Sequence, residues 1–305
     1  MRNTVLTIGP ATMDVLLNVP YAPNGGRTVF SKDRYSFTPG GNGAYTAVAV
    51  SRSESSSTLL TRVGEDEQGR RVIRHLIDDN VNTNYVIKDP VNQTGLSVYL
   101  IEEYGLGGSA NFKGASAKIS SANVEKAFDC MPLIVNTNLE LDGEALRCTA
   151  ALCEDSGLPF ILDATGAYEN MRLSSLVGDN VIIAGEKEIE VLTGIRPDST
   201  ENYLRACINL FDKMPLRFAV LKLGRRGAYI YDGKYCELLM SPGLQSVDTT
   251  AEHQCFVGAF CSEFIRTYEV DKATKYALAA SSICASKVGG FASIPTRTEI
   301  ENILN

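Results

Sequence analysis

Short apolar runs, each followed by an amphipathic stretch, recur along almost the whole chain. Val5–Ile8, Ser57–Arg62, Leu133–Val135, Phe160–Asp163, Val181–Ile183 and Ala219–Lys222 have the length and apolar content of buried strands. Helical spacing follows several of them: Gly43–Arg52, Gln68–Asn80 with Val72, Ile73, Leu76 and Ile77 along one face, Asp142–Ser156, and Lys187–Leu192. Lys272–Lys287 and Thr296–Leu304 are also helical by pattern. Strands that alternate with helices are joined by right-handed crossovers, which predicts an α/β fold with a mostly parallel sheet flanked by helices. Two segments break the rhythm, roughly 15–38 and 92–113, the second around an alternating Thr94–Glu103 stretch. They are expected to form extra antiparallel strands in a small β lid. No linker or composition shift divides the chain, so residues 1–305 read as a single domain.

Several function classes are excluded by charge and cysteine use. A net charge of −7 disfavours a broad nucleic-acid or anionic-membrane surface, since both require a basic face. The apolar N-terminal stretch is interrupted by Gly9, Pro10, Thr12 and Asp14 and lacks the core of a secretion signal. No stretch approaches the ~18 apolar residues of a spanning helix. The eight cysteines contain no CxxC pair and read as reduced thiols, and two histidines make a His-based metal site a poor reading. A cytoplasmic location is expected.

In an open sheet of this kind ligands bind beyond the carboxyl ends of the strands, so informative residues should follow the apolar runs. Gly9-x4-Asp14 follows the first run, and Gly40-Gly41-Asn42-Gly43-Ala44 precedes the first helix. Val63-Gly64-Glu65-Asp66-Glu67-Gln68-Gly69 follows the second run. Asp248-Thr249-Thr250 stands ahead of Cys255–Phe260. Smaller matches fall in order between them: Thr94-Gly95, Leu192-Thr193-Gly194, Leu223-Gly224-x-x-Gly227-Ala228, and Gly289 to Pro295. Together, in this order, they resemble the ribokinase (PfkB) family of carbohydrate kinases over nearly the whole chain.

The resemblance implies an ATP-dependent phosphotransferase with an alcohol group as acceptor, acting on the hydroxymethyl group of a sugar or nucleoside. It implies a ribokinase-like fold, ATP with Mg2+, K+ as a possible further ion, and a homodimer through the lid. Asp14 would hold substrate hydroxyls, because a carboxylate accepts two charge-assisted hydrogen bonds from a diol; otherwise it caps a turn. Gly40 and Gly41 would let the backbone approach the ligand, with Asn42 beside them as a further substrate-binding residue. Tyr45 stands where family members usually have a sugar-contacting Asn, which suggests an aromatic wall. Glu188 would organise Mg2+, Gly224 belongs to the nucleotide loop, and Asp248 and Thr250 would help hold a monovalent cation.

One corner departs from the pattern. The family's Gly-Ala-Gly-Asp reads Ala251-Glu252-His253-Gln254. In the family those glycines open a helix whose N–H groups and positive dipole end bind phosphate, and the Asp takes the proton of the attacking hydroxyl. Gln254 has no protonation equilibrium to serve as that base. Ala251 and His253 add a Cβ, and Glu252 adds negative charge where phosphate oxygens would gather. Neither His253 nor Glu252 stands at the Asp position; one or two residues on a helix is a rotation of roughly 100° or 200°. The family's Asn-x-x-Glu reads Gly185-Glu186-Lys187-Glu188, and Lys222 replaces a Thr before Leu-Gly, where its ammonium would meet a phosphate or solvent. The expectation is therefore a sugar or nucleoside kinase scaffold with weakened or lost activity. The alternative is a catalytically silent pseudokinase that senses a sugar or nucleoside or regulates a partner.

Overall fold

The computed structural model describes residues 4–31, 35–102 and 105–304. Strands occur at β1 (Thr4–Ile8), β2 (Thr12–Asn18), β3 (Ser36–Gly40), β4 (Ser56–Gly64), β5 (Val86–Asp89), β6 (Gly95–Glu102) and β7 (Gly105–Phe112). They continue with β8 (Ile134–Asn138), β9 (Phe160–Asp163), β10 (Asn180–Gly185), β11 (Leu216–Lys222), β12 (Ala228–Tyr231) and β13 (Cys236–Leu239). The helices are α1 (Asn42–Arg52), α2 (Glu67–Asp78), α3 (Ser121–Ala127), α4 (Gly143–Asp155) and α5 (Glu186–Thr193). After them come α6 (Thr200–Lys213), α7 (Glu252–Thr267), α8 (Val270–Ala285) and α9 (Arg297–Leu304).

The large sheet has the order β13-β12-β11-β10-β9-β8-β1-β4-β5. It is parallel from β5 to β11, and only β12 and β13 run antiparallel at one edge. The apolar runs of the sequence have a direct cause here. Along β10, Val181 and Ile183 enter the core shared with α1, α7 and α8, whereas Ile182 and Ala184 enter the core shared with α4, α5 and α6. A strand covered by helices on both faces has no polar side to alternate.

The second sheet has the order β3-β2-β6-β7. Its outer pairs, β2–β3 and β6–β7, are antiparallel as expected of the lid, while its two central strands, β2 and β6, run parallel, with Asp14 opposite Ser97. The reason is topological. Between them the chain re-enters the large sheet through β4 and β5 before returning in the same direction. Because β6 is paired on both sides, the lid's edges are β3 and β7. Residues 32–34 and 103–104 of the two expected lid segments lie outside the described residues.

Two of the sequence motifs join lid to sheet. Asp66 caps α2 by accepting from the Gly69 N–H at 2.8 Å. It also accepts from the Thr94 N–H at 2.8 Å and the Thr94 hydroxyl at 2.6 Å, one residue before β6. These hydrogen bonds hold the Asp66 carboxyl below its usual range against the opposing effect of burial. Asp66 and Thr94 thus fasten the lid to the large sheet. The order of the sheet reverses between β1 and β8, the place where an open α/β sheet leaves a crevice, and β2 rises directly beside it.

Candidate active site

Strand register places the candidate residues in sequence along the carboxyl edge of the large sheet. Asn138 of β8 pairs with Asp163 of β9, Asp163 with Ile183 of β10, and Gly185 with Lys222 of β11. Adjacent strands are about 4.8 Å apart, so residues far apart in sequence become neighbours. Two clusters result, one beneath the lid at β1 and β8, the other over β9 to β11.

The lid-side cluster is built on Asp14, which is fully buried. Its Oδ2 accepts from the Tyr45 hydroxyl at 2.8 Å and its Oδ1 from the Thr12 hydroxyl at 3.0 Å. Ser97 and the Gly41 backbone lie close enough to favour its charged form as well. Burial pushes the Asp14 carboxyl up to about 6, and these donors only partly offset it. Gly40 is required here, because a Cβ would stand 2.0 Å from Asp14 Oδ2. Gly41 has φ +99°, and a Cβ would meet the Pro10 carbonyl at 2.7 Å. Tyr45 is not the open aromatic wall expected from its position. It is 2% exposed, its ring lies 4.6 Å from that of Phe291, and Gly290 leaves just enough room for its hydroxyl. Burial and the adjacent Asp14 carboxylate hold its phenol well above the ordinary range.

Asn42 reaches across to Glu140, its Nδ2 donating to Oε2 at 2.8 Å. Asn138 donates to the same oxygen at 3.2 Å, and Lys113 donates to the Glu140 carbonyl at 3.2 Å. Burial raises the Glu140 carboxyl, with the Asn42 hydrogen bond opposing it. Glu140 is a site residue that the sequence reading missed, although it follows an apolar run as the strand-end rule requires.

The second cluster gathers the departures. At the first turn of α7, Glu252 accepts from Lys222 at 2.7 Å. The lysine side chain is 8% exposed, so the ammonium is paired with the Glu252 carboxylate rather than solvated. His253 lies with Nε2 2.7 Å from Asp163 Oδ1, and Asp163 also accepts from Thr165 N–H and hydroxyl at 3.0 and 2.9 Å. His253 is thus tied to a buried strand end rather than facing water. Its other ring nitrogen looks toward Gly185: a Cβ there would stand 3.9 Å from Nδ1 and 2.6 Å from Glu188 Oε2. Glycine at 185 leaves the space that the present Glu188 and His253 positions use. Asp163, the second missed residue, ends the run Phe160–Asp163 and was visible on the same signal.

Ala251 is buried at the start of α7, and Gln254 is 5% exposed. The Gln254 side chain makes no hydrogen bond to a described residue and offers no base. Asp248 is held in a turn, its Oδ1 accepting from Thr250 N–H at 2.9 Å and hydroxyl at 2.6 Å, its Oδ2 from Gly289 N–H at 2.9 Å. Gly224 has φ +55° in the short turn after β11, where Arg226 pairs with Glu186 at 2.8 Å. The loop at 289–290 links the two clusters, since Gly289 binds Asp248 and Gly290 abuts Tyr45.

Tested against the groups the resemblance implies, the two clusters differ. Beneath the lid Glu140 presents a carboxylate beside the amides of Asn42 and Asn138, the kind of groups a polyol hydrogen-bonds. A nucleotide phosphate fits poorly at α7, where Glu252 occupies the first turn. For Mg2+, Glu188 retains a carboxylate while Gly185 contributes no side chain. No group of three or more His, Cys, Asp or Glu arranged for a metal occurs among the described residues.

Comparison with known proteins bears on the scaffold. The model of the pfkB family carbohydrate kinases matches residues 2–297. The chain belongs to that family. A ribokinase of Haemophilus influenzae is 24% identical, over 98% of this chain and 97% of its own length. The structure of Arabidopsis thaliana ribokinase complexed with ribose and ATP superposes with a TM-score of 0.88 at 24% identity, covering 100% of this chain and 99% of that one. That of Giardia lamblia ribokinase gives 0.90 at 20% identity, covering 100% and 99%. As a pfkB-family member the chain has a sugar-kinase scaffold with the expected large, mostly parallel sheet and smaller second sheet. No helix among the described residues is long and apolar enough to cross a membrane.

Proposed function

We propose that this chain binds a sugar or nucleoside beneath its lid and that its transfer of phosphate from ATP to a hydroxymethyl group is weakened or lost. The observation that carries this reading is the first turn of α7. A carboxylate, Glu252, is locked there to a nearly buried Lys222 at 2.7 Å, and Gln254 stands where the family's base would be. A phosphate entering that turn would have to part the ion pair and lie against Glu252, which opposes the charge developing in phosphoryl transfer. The lid-side cluster supports retention of small-molecule binding, as does the likeness to the Arabidopsis ribokinase, whose structure holds ribose and ATP.

The silent extreme, a pseudokinase acting as a sensor, is favoured by one further observation. The altered residues satisfy one another: Lys222 with Glu252, and His253 with Asp163 in the space left by Gly185. Where weakened transfer is retained, ATP would lie over β10 and β11, Glu188 would hold Mg2+, and Asp248 and Thr250 would border any K+.

Thermal stability with and without millimolar Mg-ATP, followed by ADP release with a panel of pentoses and nucleosides, tests the proposal. The wild-type chain is expected to form no ADP above background. The variant carrying Ala251→Gly, Glu252→Ala, His253→Gly and Gln254→Asp is expected to gain both an ATP-dependent stabilisation and turnover. Wild-type turnover at roughly 1 per second or more, the lower end for kinases, would overturn it.

A further inference from the structure

His253 has one ring nitrogen in use and one to spare. Its Nε2 stands 2.7 Å from Oδ1 of Asp163, whose side chain is 3% exposed. An ionised carboxylate only accepts, so Nε2 carries the proton and Nδ1 of the neutral ring carries a lone pair. Asp163 is itself held by the Thr165 N–H and hydroxyl at 3.0 and 2.9 Å, which fixes the imidazole from behind. A buried carboxylate that takes one imidazole N–H while the other nitrogen faces outward is the arrangement found behind metal-ligating histidines.

The space that Nδ1 faces has a second potential ligand. Position 185 is glycine, and from the point where a Cβ would stand, His253 Nδ1 is 3.9 Å away and Glu188 Oε2 is 2.6 Å away. Both atoms border one space, and it is open to water, since the His253 side chain is 20% exposed and Glu188 is half-buried. Neither Nδ1 nor the Glu188 carboxylate has a hydrogen-bond or ion-pair partner among the described residues. The neighbouring cations are committed elsewhere, Lys222 to Glu252 and Arg226 to Glu186. A lone-pair nitrogen and an unpaired carboxylate therefore converge with no cation of the chain between them.

We infer that the α7 corner is a site for a first-row transition-metal dication such as Zn2+ or Co2+, with His253 Nδ1 and the Glu188 carboxylate as its protein ligands. Asp163 is the positioning residue behind the imidazole. An imidazole nitrogen suits these ions, whereas Mg2+ demands oxygen and keeps much of its water. Mg2+ would meet Glu188 alone; a transition-metal ion would engage both residues. No third His, Cys, Asp or Glu is arranged for a metal among the described residues, so water fills the other positions and the ion is exchangeable rather than structural. The site needs neither sugar nor nucleotide to form.

The test is the imidazole nitrogen NMR spectrum of the full chain, in which His75 and His253 are the two histidines. Without metal His253 is expected as its Nε2–H tautomer. Titration with Zn2+ should shift the His253 Nδ1 signal and leave His75 in place, and Mg2+ should move neither. By calorimetry, His253→Gln and Glu188→Gln should each weaken Zn2+ binding at least about tenfold, and Asp163→Asn by about 10–100-fold, with the tautomer fixed no longer. Mg2+ binding should be the same in His253→Gln as in wild type. A His253 Nδ1 signal that stays put at saturating Zn2+ would overturn the inference, whether the ion goes unbound or is taken by the exposed Cys236 thiol. So would a His253→Gln variant that binds Zn2+ as tightly as wild type. The wild-type spectrum decides the matter even where a variant fails to fold.

Discussion

Lys222 and Glu252 offer the sharpest energetic test of how the α7 corner is built. The ammonium and carboxylate are 2.7 Å apart, with side-chain exposures of 8% and 22%. Glu252→Ala leaves a nearly buried ammonium without its counter-charge, which in a buried pair costs roughly 3–5 kcal/mol. The partial exposure of the glutamate places the expected loss at about 3 kcal/mol. Lys222→Thr is milder. The remaining carboxylate lies in the first turn of α7, where the helix dipole favours negative charge by about 0.3–1 kcal/mol, and it has water within reach. A loss of about 1 kcal/mol is expected. In the double variant neither charge is stranded, so its loss should be near 2 kcal/mol rather than the additive 4, a coupling of about 2 kcal/mol. Urea unfolding followed by far-ultraviolet circular dichroism measures all four corners of the cycle. Single effects that add to within about 0.5 kcal/mol would refute the reasoning, because the pair would then carry no interaction of its own. The same double variant clears both side chains from the helix start and should show a larger Mg-ATP stabilisation than wild type.

Two further predictions concern the lid-side cluster. The Asp14 carboxyl rises from 3.8 to about 6 on folding, so the native state holds the proton more tightly and stability falls as pH rises through that window. At 1.36 kcal/mol per unit the effect is about 3 kcal/mol, absent below pH 4 and complete above pH 6. Asp14→Asn should remove this contribution to the slope of unfolding free energy against pH between 4 and 6; an unchanged slope would mean that another group titrates there. Gly40→Ala places a methyl against a buried carboxylate and should cost roughly 1–3 kcal/mol by overpacking, read as a lower urea midpoint. A variant as stable as wild type would show that Asp14 and Tyr45 can shift apart.

Chain-local patterns made much of this protein legible. The runs Val5–Ile8, Phe160–Asp163 and Val181–Ile183 are strands because burial on both faces demands continuous apolar residues, and that demand is written residue by residue. Gln254 and Glu252 announced the altered phosphoryl corner for the same reason, since the identity of a side chain is local information. The antiparallel strands β12 and β13 did not stand out: each is four residues long, and β13, at the sheet edge, is mostly exposed, with no buried period to detect. What only the tertiary structure decided is who meets whom. Tyr45 fills Asp14 across 31 residues, Asn42 reaches Glu140 across 98, and His253 reaches Asp163 across 90. Those meetings follow from strand order and register, which depend on how whole sheets pack. That is why the sequence names Asp14 as a candidate ligand-binding carboxylate but cannot show that the chain's own tyrosine donates to it.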